Sequence, residues 1–208
     1  MAISLVAVGQ KITASLANWL IGKANGQGLS LLAPSSVSGT GASMTSLGTV
    51  NLSGCGSVTI NGVFSSSYTN YRILIDVTLS TGDNVVAQLS AGGTPNATSN
   101  YDAQRLVASA ATVAASQSLG TTGWQVGASV ATNTEHSISI DIFGPALASP
   151  CTGIVDSLAT QNPMTTAAAS MNSGIANRLT SAFDGFNIHC ATATMIGTIQ
   201  VFGYNVGT

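Results

Sequence analysis

Two segments in the middle of the chain alternate between apolar and polar residues over most of their length. In residues 71–79 every odd-numbered position is aliphatic or aromatic, and in residues 136–144 isoleucine occupies positions 138, 140 and 142. A period of two is that of a β-strand with one face in the core and the other in water. The pattern therefore predicts two amphipathic strands.

Charged residues fall on the polar faces of both segments. Arg72 and Asp76 share one face of the first strand, but at 3.3 Å per residue their Cα atoms are about 13 Å apart, which excludes a direct ion pair. Asp141, on the polar face of the second segment, is the candidate cross-strand partner of Arg72. We interpret Arg72 and Asp76 as charges that discourage edge pairing, in preference to a functional site.

The rest of the chain after residue 48 also has short β-like segments, which glycine, proline, asparagine and aspartate separate. Ten strands are predicted, over residues 49–53, 57–62, 71–79, 84–90, 102–109, 123–128, 136–144, 152–159, 182–190 and 196–205. Many short strands at this spacing, without alternating helices, are typical of all-β domains. We expect a mainly β fold with an antiparallel β-sandwich or jelly-roll-like domain.

One helix is predicted, over residues 12–24, before the β region. Its apolar face has helical spacing and consists of Ile12, Leu16, Trp19 and Leu20. Thr13 or Ser15 can cap its start, and Asn25-Gly26 can end it. Thirteen residues are marginal for a free helix, so the helix must dock. Docking in an assembly, where these four residues would anchor the chain, and packing against its own core both remain open.

Residues 25–48 are rich in glycine, serine and threonine and are predicted to be an extended connector. The expected organisation is an N-terminal anchoring or oligomerisation segment, residues 1–47, followed by a β-sandwich domain, residues 48–208.

The chain is unusually poor in charge. Five Lys and Arg and seven Asp and Glu are present in 208 residues, with a net charge of −2, whereas about a quarter of the residues in ordinary soluble domains are charged. So few cations cannot neutralise a row of phosphates, so we expect neither nucleic-acid binding nor attraction to an anionic membrane. No apolar run is long enough to span a bilayer. A polar, uncharged surface repels its own copies weakly and therefore favours assembly.

The residues that could carry chemistry do not form a recognisable motif. The aspartates and Glu135 have no DxD, DxE or ExE spacing, and His136 and His189 lack the spacing of metal ligands. Cys55, Cys151 and Cys190 are an odd number without a CxxC pair, and no GxSxG elbow is present. We therefore expect no enzymatic activity, no metal and no cofactor.

Aromatic residues offer the only candidate ligand contacts. Trp124, in a turn-flanked segment, and Tyr101 are the candidates for contact with a glycan, and Tyr68, Asn96 and Asn100 could assist. The alternative is that Trp124 and Tyr101 are core aromatics.

Several motifs in this order resemble a family of small structural proteins of tailed bacteriophages, usually called minor tail or tail-fibre-like proteins. The matching residues are Gly9-Gln10-Lys11-Ile12-Thr13; Tyr68, Asn70, Tyr71 and Arg72; Ile142, Phe143 and Pro145; Phe183 to Phe186; and Gly197, Thr198, Val201, Gly203 and Tyr204. The likeness extends over most of the chain, and none of its motifs is catalytic.

The resemblance implies a non-enzymatic virion protein that forms a homo-oligomer, expected to be a trimer, and contacts other virion proteins. A tail-fibre or minor tail protein would be exposed on the particle and could contact host cell-surface glycan. A capsid decoration or head-fibre protein is the alternative, and a polysaccharide depolymerase is a third class. The start of the chain lacks the features of a secretory signal, which fits a virion protein made in the host cytoplasm without membrane insertion.

Overall fold

The computed structural model describes residues 28–109, 111–128, 134–161 and 169–205. These residues form strands and connecting turns and contain no helix. The strands are β1 (Gly28–Leu31), β2 (Ser36–Ser38), β3 (Ala42–Met44), β4 (Val50–Cys55), β5 (Ser57–Asn61), β6 (Asn70–Leu79), β7 (Val85–Ala91), β8 (Thr94–Pro95), β9 (Tyr101–Ser109), β10 (Thr112–Thr121), β11 (Trp124–Gly127), β12 (Thr134–Phe143), β13 (Cys151–Gln161), β14 (Ala169–Asn177), β15 (Gly185–His189) and β16 (Met195–Asn205). The predicted mainly β fold is confirmed.

Two antiparallel sheets contain all of these strands. The larger sheet has the order β10-β9-β14-β13-β12-β6-β16-β4-β3, with β1 paired to β16. The smaller sheet has the order β11-β7-β15-β5-β2, with β8 paired to β7. Strands β12, β13 and β14 form a meander in the larger sheet, so the order differs from the two Greek keys of an eight-stranded jelly roll.

One hydrophobic core lies between the two sheets. The larger sheet contributes the apolar faces of β6 and β12, such as Ile75 and Ile140, and the smaller sheet contributes Val58, Leu89 and Ile188. Side chains alternate between buried and solvent-facing along β6, β12 and β14. The period-two pattern in the sequence thus fixes which face of each strand enters the core.

All ten predicted strands are present, with ends displaced by a few residues at most. The described chain also contains strands that the pattern did not predict, namely β1, β2, β3, β8, β10 and β14. Strands β10 and β14 consist mainly of alanine, serine, threonine, asparagine and glycine. Their two faces therefore differ little in hydropathy, and the alternation that reveals an amphipathic strand is weak.

The predicted connector is a part of the sheets from residue 28 onward. Strand β1 pairs with β16, β2 with β5, and β3 with β4. Gly41 has φ +80°, and a side chain there would collide with the backbone oxygen of Ser53, which accounts for glycine at this close approach. The β domain thus begins before residue 48. Residues 1–27, which contain the predicted helix 12–24, lie outside the described residues.

The larger sheet extends sideways beyond the smaller one. Strand β11, at the edge of the smaller sheet, packs across β9, β12, β13 and β14. Strand β10 lies one position further out, and Thr112 to Gln117 are all exposed, on both faces of the strand. This overhang leaves a cleft between the sheets and an open strand at the end of the larger sheet.

Candidate functional site

The predicted pairing of Arg72 with Asp141 is confirmed. The two residues are directly opposite each other on β6 and β12. Arg72 Nε donates to Asp141 Oδ1 over 2.8 Å and Arg72 Nη2 to Asp141 Oδ2 over 2.6 Å. The hydroxyl of Tyr204, on β16, donates to the same Oδ1 over 2.6 Å. These hydrogen bonds hold the pKa of Asp141 below its ordinary value. The cluster ties three neighbouring strands together and is a structural element.

Asp76 is exposed on the same face, four residues further along β6. Its register neighbours are Ser137 on β12 and Thr198 on β16. Arg72 and Asp76 do not pair with each other, as their spacing predicts, but β6 lies between β12 and β16 inside the larger sheet, so the two charges do not guard an open edge.

The structure buries both aromatic residues that were predicted to contact glycan. Trp124 is 3% exposed, and its Nε1 donates to the backbone oxygen of Ala176 over 2.9 Å. Tyr101 is fully buried, with its hydroxyl donating to the backbone oxygen of Asn96 over 2.7 Å. Their rings pack edge to face, with centroids 4.9 Å apart. A sugar-binding platform needs an exposed ring face, so these residues serve the core. The predicted anchoring residues Ile12, Leu16, Trp19 and Leu20 lie outside the described residues.

The outer face of the larger sheet is the first candidate surface. Its centre is a shallow groove of about 580 Å³ that crosses β6, β12 and β13 and extends to β14 and β16. Small serines at 137, 139 and 170 form its floor, with Leu74 and Leu158 beside them. Leu158 is 45% exposed, and the neighbouring Ile154 is 47% exposed. The only carboxylates in its lining, Asp76 and Asp156, are on strands that β12 separates.

A second candidate, which we call the Arg105 cleft, lies between the two sheets beside the overhang. It has a volume of about 320 Å³. The larger sheet contributes Arg105, Ser118 and Thr121, and the smaller-sheet side contributes Asn84, Gln125 and His189. These groups are hydrogen-bonding and mostly uncharged. The volume is at the lower end of the range for small-molecule pockets, about 300–1,000 Å³.

Arg105 differs from the other described arginines in its partners. Arg72 and Arg178 form ion pairs with Asp141 and Asp102. Arg105, in contrast, donates through Nη1 to Gln125 Oε1 over 2.8 Å and through Nη2 to Ser118 Oγ. Both partners are neutral, and no carboxylate among the described residues is bonded to this guanidinium. The cleft thus contains a half-buried positive charge with spare capacity for an anion.

The Arg105 cleft was not predicted from the sequence, although one signal for it is present. The alternation in β9 places Arg105 on the same face as the buried Tyr101 and Ala103. A charged residue on the core-facing side of a strand indicates that this side opens to solvent there. Only the packing of β11 against the larger sheet shows that the opening is a cleft.

The cysteines and the remaining acidic and histidine side chains are not arranged for catalysis or metal binding in the described ranges. Burial raises the pKa of the Cys151 thiol to about 11 and that of the Cys190 thiol to about 12, which disfavours the nucleophilic thiolate. All three cysteines are free thiols. Within the described ranges, no three His, Cys, Asp or Glu side chains come together as metal ligands. The described part of the chain likewise has no helix that could cross a membrane.

Comparisons with known proteins add little. No protein-family model matches the chain, and no curated protein matches it. Among solved structures, a protein of unknown function from Shewanella oneidensis MR-1 aligns over 86% of this chain and 80% of its own, with 9% identity and a TM-score of 0.22. A likeness this weak supports no conclusion about fold or function.

Proposed function

We propose that this chain is a non-enzymatic structural protein of a bacteriophage virion, of the tail-fibre or minor tail kind. In this proposal the two sheets form a β-sandwich exposed on the particle, and the predicted helix 12–24 anchors the chain to other virion proteins and joins copies into a homo-oligomer, a trimer. The sequence motifs that resemble phage structural proteins suggested this role.

The observation that carries the proposal is the outer face of the larger sheet. Leucine and isoleucine side chains at positions 74, 106, 154 and 158 are exposed there, beside small serines. Large exposed apolar patches are uncommon on free monomers and are typical of protein contacts. Such a face is suited to contact with other subunits of a large particle.

A capsid decoration or head-fibre protein would use the same surface, so the number of copies distinguishes the two locations. Quantitative mass spectrometry of gradient-purified particles, from a culture that carries the gene, measures this number against a known capsid subunit. Copies in a small multiple of three or six support the tail, and tens to hundreds of copies support the head. Absence of the chain from purified particles would contradict both versions.

The Arg105 cleft is the place where we propose contact with a host-surface glycan. A guanidinium without a carboxylate partner binds a planar carboxylate through two parallel hydrogen bonds. The cleft has room for one sugar unit and is lined by amide and hydroxyl groups. We therefore expect an acidic sugar, such as a uronic acid, to bind in preference to a neutral one.

Calorimetric titration with galacturonate oligomers and with neutral galactose oligomers tests this contact. We expect binding of the acidic oligomer alone, and a loss of affinity of about tenfold or more in Arg105→Gln, since hydrogen bonds to charged groups contribute about 1.5–3 kcal/mol. Arg178→Gln, which removes an equal charge from an arginine that already has a carboxylate partner, is the matched control. Equal affinity of wild type and Arg105→Gln would rule out this cleft.

A further inference from the structure

Strand β10 ends the larger sheet with an open edge. It pairs with β9 on one side, and no other described strand lies on its other side. The pairing is regular from Thr112 to Ser118. Half of the backbone N–H and C=O groups in this run therefore point away from β9, as on any edge strand. Val113, at the start of the run, is 74% exposed.

The edge lacks the features by which proteins usually prevent pairing between edges. Such features are charged side chains, proline and β-bulges. Residues 112–118 read TVAASQS and contain neither a charge nor a proline. The register shift comes only after Ser118, where Gly120 has φ +63° and its N–H donates to Asp102. Seven consecutive residues are thus available for pairing.

The length of the edge selects its partner. The other strands of the described chain that have a single neighbour are much shorter, with two to four residues each, so they cannot match seven. They are β1, β2, β3, β8 and β11. The same edge of a second copy matches it fully. Antiparallel pairing about a twofold axis at Ala115 places Thr112 opposite Ser118, Val113 opposite Gln117 and Ala114 opposite Ser116. Every opposed pair is small or neutral, so no side chains repel.

We propose that β10 pairs antiparallel with β10 of a second copy and joins the two larger sheets into one continuous sheet. The contact is isologous, because the same residues face each other on both copies. This twofold contact is separate from the helix-mediated trimer of the proposed function, and it requires nothing of a virion. Seven residues make a small interface, so the contact gains strength from the many copies in an assembly.

Charge substitutions at the centre of the edge test this proposal on the purified full chain. Ala115 is exposed, and in the proposed register it lies opposite its own copy. We expect Ala115→Lys and Ala115→Glu each to have half the mass of the wild type by sedimentation equilibrium, because like charges meet at the axis. An equimolar mixture of the two variants should regain the full mass. Asn51→Lys, at an exposed position of β4, should leave the mass unchanged.

The result that would overturn the proposal is a wild type with the same mass as both variants, or variants that keep the wild-type mass. Hydrogen exchange of the wild-type amides is a second test of the proposal, and it needs no substitution. Amides of residues 112–118 should exchange more slowly as the protein concentration rises, while those of β6 should not change. Protection that is independent of concentration would show that the chain covers this edge itself, for instance with residues 1–27, and would also overturn the proposal.

Discussion

Arg72, Asp141 and Tyr204 show how a single carboxylate can connect three strands. Asp141 accepts two hydrogen bonds from Arg72 and one from Tyr204, and the guanidinium carbon of Arg72 lies 5.7 Å from the centre of the Tyr204 ring. Both charged side chains are partly exposed, so water screens part of their attraction. The alternation of the sequence predicted the pairing of Arg72 with Asp141, because opposed polar faces bring such residues together. It did not predict Tyr204.

Replacing Asp141 by asparagine tests the contribution of this cluster to stability. An amide has one acceptor oxygen and no charge, so Asp141→Asn loses a charge-assisted hydrogen bond. We expect the free energy of unfolding in urea to fall by about 1 kcal/mol. Asp76→Asn, an equal change of charge at an exposed position of the same face, should stay within about 0.5 kcal/mol of wild type. Equal effects of the two substitutions would contradict the structural role of Asp141.

His136 is a second residue whose environment has a measurable consequence. It faces the core from β12 and is fully buried, and neither ring nitrogen has a hydrogen-bond partner in the described chain. Burial lowers its pKa to about 4, because the charged imidazolium loses its water. The unfolded chain, with an ordinary pKa near 6.5, therefore binds one more proton than the folded chain between these two values.

This difference predicts acid sensitivity with a definite sign. The stability that depends on neutral His136 is complete above about pH 6.5 and falls as the pH decreases towards 4, by up to 1.4 kcal/mol per pH unit. His189, whose pKa burial also lowers, adds to the same slope. Urea unfolding at several pH values measures how steeply the free energy of unfolding changes with pH. In His136→Met this slope should decrease by the amount that corresponds to about one proton. An unchanged slope in that variant would show that His136 is protonated in the folded protein.

At the scale of elements, the turn between β15 and β16 depends on one side chain. Asp83 accepts hydrogen bonds from the backbone N–H groups of Thr192 (2.7 Å) and Ala193 (3.0 Å) and from the Thr192 hydroxyl (3.1 Å). Burial alone would raise the pKa of this carboxyl, but the backbone hydrogen bonds outweigh it and lower the pKa to about 2. The carboxylate holds the turn in place.

Replacing Asp83 by asparagine should loosen this turn. The amide retains one acceptor oxygen, so we expect the amides of residues 192 and 193 to exchange with solvent several-fold faster. In the wild type the same loosening should appear between about pH 4 and pH 2, since a lowered carboxyl pKa gives stability that is lost as the pH falls. Amides of β6 serve as the internal control, and an unchanged exchange rate in Asp83→Asn would contradict the predicted role.

The sequence predicted the strands whose two faces differ in hydropathy, and it did not predict the strands whose two faces are similar. The isoleucines of β12 alternate with serines, whereas β10 and β14 consist mostly of small residues that suit either environment. Burial of Trp124 and Tyr101 could not be inferred from a turn-like context, because it depends on where β11 crosses the larger sheet. The Arg105 cleft could not be predicted for the same reason, because it forms between elements that are distant in sequence.

At the scale of the whole molecule, the chain combines a large buried core with a surface of few charges. Its larger sheet exposes leucine and isoleucine on the outer face and an uncharged edge at β10. Each feature weakens the protection of a free monomer against association. Together they support the proposal that this protein works in an assembly in which such surfaces are covered.

The most direct test of this proposal is an image of the particle. Immunogold electron microscopy, with an antibody raised against the purified chain and a pre-immune control, shows where the protein lies on virions from a culture that carries the gene. We expect gold at the tail, at its tip or fibres. Labelling of the head would favour the decoration alternative. Intact particles with no label above the control, from a culture that makes the protein, would contradict the proposal that it belongs to the virion.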